Sequence, residues 1–301
     1  MSATMVLGTG ANSSKTLLSV ALLRLLARRG MRVQPYKALI VVRGEDEADS
    51  RAAGSGLPHH LLAAGVPANP WQCPAVVYQT GWTTGRLRSA DGGEFDVPVP
   101  CSDTVDLSVL SDGRRRALVE TARTAATRIA ADAEHVVAEG AGNPTVLEPE
   151  ADLPNIAVAR WLEPAIVLVG QFSQGSAAAS VIGTYQCLPD DVRANVRGFV
   201  LANTPRSAVV QRSARIVTEV CGLPALGVLP SRDDLAYAEL YSDAAIDDWA
   251  DTLERETDLD AVLRNDVLTN DPLTNDPLTK GALMNAVPSR TALAAGEGGG
   301  R

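Results

Sequence analysis

Aromatic side chains are scarce, at 4% of 301 residues, and that shortage already narrows the fold. The 46% of the chain that is hydrophobic is dominated by Ala, Val and Leu. This suits helices layered on a parallel sheet better than an aromatic-rich β-sandwich. Cysteine is equally sparse. Cys73, Cys101, Cys187 and Cys221 lie far apart without a Cys-x-x-Cys pair, so neither a zinc site nor a disulfide framework is expected. Clustered positive charge is missing too. The formal net charge is −9 and the basic residues are scattered, which argues against a nucleic-acid partner. No apolar run reaches the roughly 18 residues of a membrane span. The start, Met1 to Leu7, has no charged region ahead of an apolar stretch and cleavage site, so it does not read as a signal peptide. These absences predict a soluble, cytoplasmic protein.

What is present is an alternation of short apolar runs with longer helical patterns, the signature of βαβ units. Thr4 to Leu7 reads as a strand, followed by a turn over Gly8 to Ser13. From Ser14 to Arg29, Leu17, Leu18, Ala21, Leu22, Leu25 and Leu26 recur at helical spacing, and Gly30 closes that helix. Arg32 to Tyr36 reads as a second strand and Glu45 to Gly56 as a loop. Thr84 to Val97 reads as a hairpin around Asp91-Gly92-Gly93, an excursion on the rim of the sheet. A helix over Arg114 to Ala133 leads into a buried strand, His135 to Ala138, which ends in Glu139-Gly140-Ala141-Gly142. The alternation continues through Ala165 to Val169, Ser176 to Gln186, Val196 to Leu201, Ala208 to Cys221 and Leu226 to Leu229.

Residues 1–240 are therefore read as one α/β domain, a mostly parallel sheet flanked by helices on both faces. Residues 241–264 follow as a C-terminal helical stretch, with Ala244 to Leu263 as a single helix. Residues 265–301 carry three five-residue repeats, Asn265-Asp266-Val267-Leu268-Thr269 and two Asn-Asp-Pro-Leu-Thr copies. They end in a glycine-rich segment. Five residues are too few for a solenoid unit, so a mobile tail is expected, with a short partner-docking segment as the alternative.

The segment Gly8-Thr9-Gly10-Ala11-Asn12-Ser13-Ser14-Lys15-Thr16 stands between a strand and a helix. Successive backbone N–H groups there can converge on phosphate, and the helix presents its positive end to it. Lys15 then reaches the β- and γ-phosphates, and the Thr16 hydroxyl ligates Mg²⁺. A glycine belongs immediately before that lysine, and this chain has Ser14. The competing reading is an ordinary helix start capped by Ser13 or Ser14.

The same nine residues resemble the Gly-Thr-x-x-x-x-Gly-Lys-Thr/Ser loop of the dethiobiotin synthetase and cobyric acid synthase superfamily. Leu25 to Ala38, ending in Pro35-Tyr36-Lys37-Ala38, is similar to the next stretch of cobyric acid synthases. Glu139-Gly140-Ala141-Gly142-Asn143-Pro144 resembles their Glu-Gly-Ala-Gly-Ser-Pro motif, and Asp152-Leu153-Pro154-Asn155 their Asp-Ile-x-Asn. Segments from Gly183-Thr184 to Pro230 follow in the same order, so the resemblance covers about residues 4 to 235.

The resemblance implies a P-loop NTPase-like fold, an ATP and Mg²⁺ requirement, and a homodimer. ATP would lie on Thr9, Gly10, Ala11, Asn12, Ser13, Ser14, Lys15 and Thr16, with Asn203 reading adenine or serving only as a turn residue. Lys37 would neutralise charge beside the γ-phosphate and the acceptor carboxylate. Glu139, Thr16 and Asp49 would hold the metal. Asp49, with Glu47 as second choice, would stand in for the acidic residue of the Gly-Glu-Ile-Gly-Arg segment. The implied activity is an ATP-dependent ligase or cyclase. It activates a small-molecule carboxylate, or carboxylates a diamine, and takes nitrogen from ammonia, an amine or a separate glutaminase. The departures are Ser14, the apolar Leu39 to Val42 where the family has Asn-Met-x-x-Asn-Ser, Ser173-Gln174-Gly175-Ser176 for Asp-Arg-Gly-Gly, and no following glutaminase domain. They keep a second class open: a degenerate P-loop module that regulates or scaffolds a partner.

Three further features stand outside these motifs. His59-His60 at a helix start reads as a surface pair, with a general base as the sharper alternative. Trp71 and Trp82 read as caps on the sheet edge, or else as pocket lining. Arg114-Arg115-Arg116 reads as a solvated face.

Overall fold

The structure, a computed structural model, describes residues 2–43, 57–101, 103–172, 175–205, 207–231 and 239–263. In chain order the first half runs β1 (Ser2–Gly8), α1 (Lys15–Arg28), β2 (Val33–Tyr36), β3 (Ile40–Arg43), α2 (Leu57–Ala64), β4 (Ala75–Gln79), β5 (Thr84–Ser89), β6 (Glu94–Pro98) and α3 (Asp112–Ala131). After β7 (His135–Glu139) comes a π-helical turn, Leu153–Ala157, that leads into α4 (Val158–Leu162). The second half continues with β8 (Ala165–Gln171), α5 (Ala177–Cys187), α6 (Asp190–Arg193), β9 (Val196–Thr204), α7 (Ala208–Cys221) and β10 (Ala225–Pro230). It closes on α8 (Asp243–Glu256) and α9 (Leu259–Leu263).

Six strands form one parallel sheet in the order β10-β9-β8-β1-β7-β2. Its central strands are apolar on both faces, and the alternation of side chains sorts them into two cores. Met5, Leu7, Val136, Ala138, Ile166 and Leu168 point to the face covered by α3, α5 and α7. Val6, Val137, Val167 and Val169 point to the other, covered by α1, α8 and α9. From β1 the chain builds outward to β2 and β7 on one side, then crosses to β8, β9 and β10 on the other. β1 is therefore the topological switch point, and in open parallel sheets ligands bind there, beyond the carboxyl ends of the strands.

The expected strands and helices appear within a few residues of their predicted bounds, with three differences. The hairpin around Asp91 does form, yet it belongs to a second sheet, β3-β4-β5-β6, instead of the rim of the first. The reason is Leu39 to Val42, whose apolar run becomes β3 and recruits β4 in parallel; Val41, Val77 and Leu87 then join the main core. The helix expected over Ala244 to Leu263 is two, broken at Thr257 and Asp258. Thr257 bridges Gly227 on β10, and the Asp258 N–H donates to the Leu226 carbonyl, so these residues continue the sheet edge instead of the helix. Trp82 caps nothing, being 97% exposed, whereas Trp71 packs on the core beneath the Arg128 guanidinium. Glu45 to Gly56 and the repeats after 264 lie outside the described residues.

α8 lies along α1, with Trp249 and Leu253 buried in the shared core and Arg28 and Arg29 paired to Asp251 and Glu254 at 2.7 Å each. Those exposed pairs contribute little, roughly 0 to 1 kcal/mol apiece; apolar burial does most of the holding. At the seam, a Cβ on Gly227 would stand 2.3 Å from Thr257 Cγ2 and 2.6 Å from the Glu256 carbonyl. Gly227→Ala is expected to lower stability by about 1–3 kcal/mol through overpacking, while Gly113→Ala, in open space on α3, leaves it level or slightly higher. Urea unfolding of both variants beside the wild type checks this.

Candidate nucleotide-binding site

The carboxyl ends of β1, β7 and β2 assemble the site by register alone. Tyr36 pairs with Ala138 across β2 and β7, so the next residues, Lys37 and Glu139, leave the sheet side by side. Val6 pairs with Glu139 across β1 and β7, which sets Glu139 beside the loop that follows β1. Thr16 enters on the first turn of α1.

Glu139 is the centre of this arrangement and is 3% exposed. Its Oε1 accepts from Thr16 Oγ1 at 2.9 Å and from Lys37 Nζ at 2.8 Å. Its Oε2 is 2.6 Å from His60 Nε2. Burial by itself would raise the carboxyl's pKa. The Lys37 ammonium and the His60 imidazole more than offset that and hold it well below the usual carboxylate range. An ionised carboxylate only accepts, so His60 carries its proton on Nε2.

The loop is built to receive an anion. The N–H groups of Gly10 to Thr16 have no hydrogen-bond acceptor among the described residues, a run of unpaired donors at a helix N-terminus. Asn12 and Ser14 take left-handed backbone, φ 58 and φ 65, which curls those donors into a concavity. The Ser13 hydroxyl is buried and without a partner among the described residues. Ser14 makes no capping bond, and its backbone is not that of an ordinary cap, so the reading as a simple capped helix start is not realised. Lys15 is buried, donating to the carbonyls of Gly10 (2.9 Å) and Gly142 (3.2 Å). Burial lowers its pKa, opposed by the charges of Glu139 and Asp103.

Behind this front, Asn155 holds the turn after Glu139. Its amide donates to the Ala141 carbonyl at 2.8 Å and accepts from the Ala141 N–H at 3.1 Å. A Cβ on Gly140 would meet Asn155 Oδ1 at 2.1 Å, so only glycine permits this approach. Asp152 in turn receives both the N–H and the amide of Asn155. Burial pushes the Asp152 carboxyl up to about 7, with the Asn155 bonds offsetting part of the rise.

The structure thus brings Lys15, Thr16, Lys37 and Glu139 together with Thr9 to Ser14. Asn203 stands at the same edge of the sheet on β9, two strands from β1, with φ 53. Asp49 and Glu47 lie outside the described residues. His60 corrects the surface reading of the histidine pair: it is fully buried, while His59 stacks on Tyr241. The sequence did carry a signal for this, because His60, Ala63 and Ala64 share one face at helical spacing and are the buried residues of α2. Asp103, at φ 59 against Gly142, is a second residue that sequence reasoning missed, and no motif announces it.

A parallel sheet with an anion-receiving loop at its switch point, a buried lysine and an acidic strand end defines a P-loop nucleotide-binding protein of the α/β class. Residues 2–239 match the AAA domain family, and the chain belongs to it. Among curated relatives, a probable cobyric acid synthase of Archaeoglobus fulgidus is 33% identical over 242 residues, covering 77% of this chain and 49% of that protein. The cobyric acid synthase of Desulforudis audaxviator is 32% identical over 235 residues, covering 77% and 45%. The chain thus spans about half the length of the curated relatives it matches. The solved cobyrinic acid a,c-diamide synthase of Mycobacterium smegmatis, bound to an ATP analog and magnesium, overlaps at a TM-score of 0.39 with 14% identity, covering 85% of this chain and 94% of that one. At that score the overlap adds nothing to the assignment, which rests on the sequence matches.

Two measurements probe the site's construction. Left-handed backbone at a non-glycine residue carries strain of order 1 kcal/mol. Ser14→Gly should therefore raise the melting temperature slightly and tighten nucleotide binding in a calorimetric titration. Weaker binding would show instead that the serine hydroxyl contacts phosphate. Asp152, raised in the fold above its ordinary value near 4, contributes stability that is full below that value and lost as pH rises to about 7. Asp152→Asn should gain on the wild type by up to about 1.4 kcal/mol per pH unit across that window and hold its advantage at pH 8. Denaturant midpoints at pH 5, 6, 7 and 8 give the comparison.

Proposed function

We propose that this chain is the synthetase part of an ATP-dependent ligase that activates a carboxylate on a small molecule and joins it to nitrogen. The observation that carries the reading is the buried cluster of Glu139, Thr16 and Lys37 beside a loop whose N–H donors have no acceptor among the described residues. Its sequence relationship to cobyric acid synthases supports the same chemistry.

In this reading the loop amides and Lys15 bind the phosphates of ATP, and Lys15 exchanges its two carbonyl partners for phosphate oxygens. Asn203 lies two strands away, about 10 Å by strand spacing, and reads the base. Thr16 and Glu139 offer a hydroxyl and a carboxylate oxygen, hard donors that fit Mg²⁺, and Asp49 is the proposed third. Mg²⁺ supplies charge neutralisation on the phosphates when bound. Lys37 leaves Glu139 for the γ-phosphate and the attacking carboxylate, whose like charges would otherwise repel. An oxygen of the substrate carboxylate attacks the γ-phosphorus, the bond to the β-bridging oxygen breaks, and ADP departs. The nitrogen nucleophile then attacks the acyl carbon, the bond to phosphate breaks, inorganic phosphate leaves, and the nitrogen releases a proton to solvent. Ammonia, a substrate amine or ammonia from a separate glutaminase would serve as nucleophile. The carbamate of a diamine would be phosphorylated in the same geometry.

Lys15→Ala should abolish ATP·Mg²⁺ binding by isothermal titration while the far-ultraviolet circular dichroism and the melting transition persist. Wild-type affinity in that variant would sink the loop assignment. Absence of ATP, ADP or GTP binding by the wild type would leave the chain as a non-catalytic module.

A further inference from the structure

We infer that His60 is a positioning residue for Glu139. It anchors Oε2, so that Oε1, the oxygen shared with Thr16, is the one presented to a divalent cation. This rests on the nucleotide and metal reading above and adds to it a residue from outside the loop and strand ends.

The two oxygens of Glu139 are divided cleanly. Thr16 and Lys37 both address Oε1, while His60 addresses Oε2. Turning the carboxylate would break the 2.6 Å bond to the imidazole, and His60 itself has no room to follow. It is fully buried on α2, beside Ala63 and Ala64, and α2 packs on α1. Burying an imidazole in an apolar helix face is unfavourable unless its nitrogens are bonded, and the bond made here runs to the carboxylate at the heart of the site. Mg²⁺ tolerates little departure from octahedral geometry. A ligand carboxylate held by an outer hydrogen bond therefore binds better than a free one, and loss of such outer partners typically costs about 10–100-fold in metal affinity. The Lys37 ammonium sits on Oε1, the oxygen where the cation is expected, so a cation arriving there displaces it while His60 keeps Glu139 in place.

A space-filling role for His60 makes a different forecast, and two variants separate the two. His60→Leu keeps the bulk without a donor, and His60→Gln keeps an N–H at similar reach. The full-length chain is titrated calorimetrically with ATP in excess Mg²⁺ and again in EDTA. The ratio of the two affinities isolates the metal's contribution. In parallel, electron paramagnetic resonance of free Mn²⁺ counts the metal bound by the protein with ATP. The Leu variant should lose about 10–100-fold of the metal-dependent gain while its affinity in EDTA stays at the wild-type level, and the Gln variant should stay within a few-fold of wild type in both. If the Leu variant does not fold, His60→Asn, with its shorter reach, takes its place. A wild-type metal response in the Leu or Asn variant overturns the inference, as does an equal loss in Mg²⁺ and in EDTA. If the wild type binds ATP yet gains nothing from metal, the metal reading itself has failed, a result distinguishable from failure of His60 alone.

Discussion

A carboxylate sealed from water is the constraint around which this molecule is arranged. Glu139 ends a strand buried on both faces, and an isolated charge there would be prohibitively unfavourable. It is tolerable because three elements converge on it: α1 with Thr16, the exit of β2 with Lys37, and α2 with His60. Each of these partners is also fixed by the fold's own register and packing. The cluster is thus a demand on the fold that its register and packing meet.

The loop between β1 and α1 shows the same economy in a different form. Its lysine is held by two carbonyls, one from the loop and one from the turn after Glu139, so Lys15 joins the two halves of the site. Asn155 and Asp152 stiffen that turn from behind, using a backbone contact that only Gly140 allows. Among the described residues, the row of N–H donors from Gly10 to Thr16 has no acceptor. Rigid walls around unsatisfied donors are what an anion site requires, since the donors need not reorganise on binding.

Two additions frame the site. The second sheet grows out of the segment after Lys37 and returns Asp103 to the edge of the loop, against Gly142. On the opposite face, α8 lies along α1 and shares its core through Trp249 and Leu253, while α9 packs on the sheet beside them. α1 is thereby packed against α8, and its first turn places Thr16 within reach of Glu139.

Much of this was legible in the residue order. Strand, loop and helix at the start follow from local periodicity and turn chemistry. Lys15, Thr16, Lys37 and Glu139 could be picked out because each sits at a strand end or helix start, a position that sequence spacing marks. The features that escaped are those made by distance in the chain. His60 meets Glu139 across 79 residues, and a helical face of His60, Ala63 and Ala64 says only that it is buried, not against what. The second sheet depended on whether the apolar run after Lys37 would pair with β4 or extend the first sheet, a choice that periodicity cannot make because a buried strand reads alike in either. The sequence by itself determined which side chains carry charge and which local conformations they begin from. The tertiary structure decided which of those charges share a dry site, because only packing removes the water that would otherwise let each stand alone.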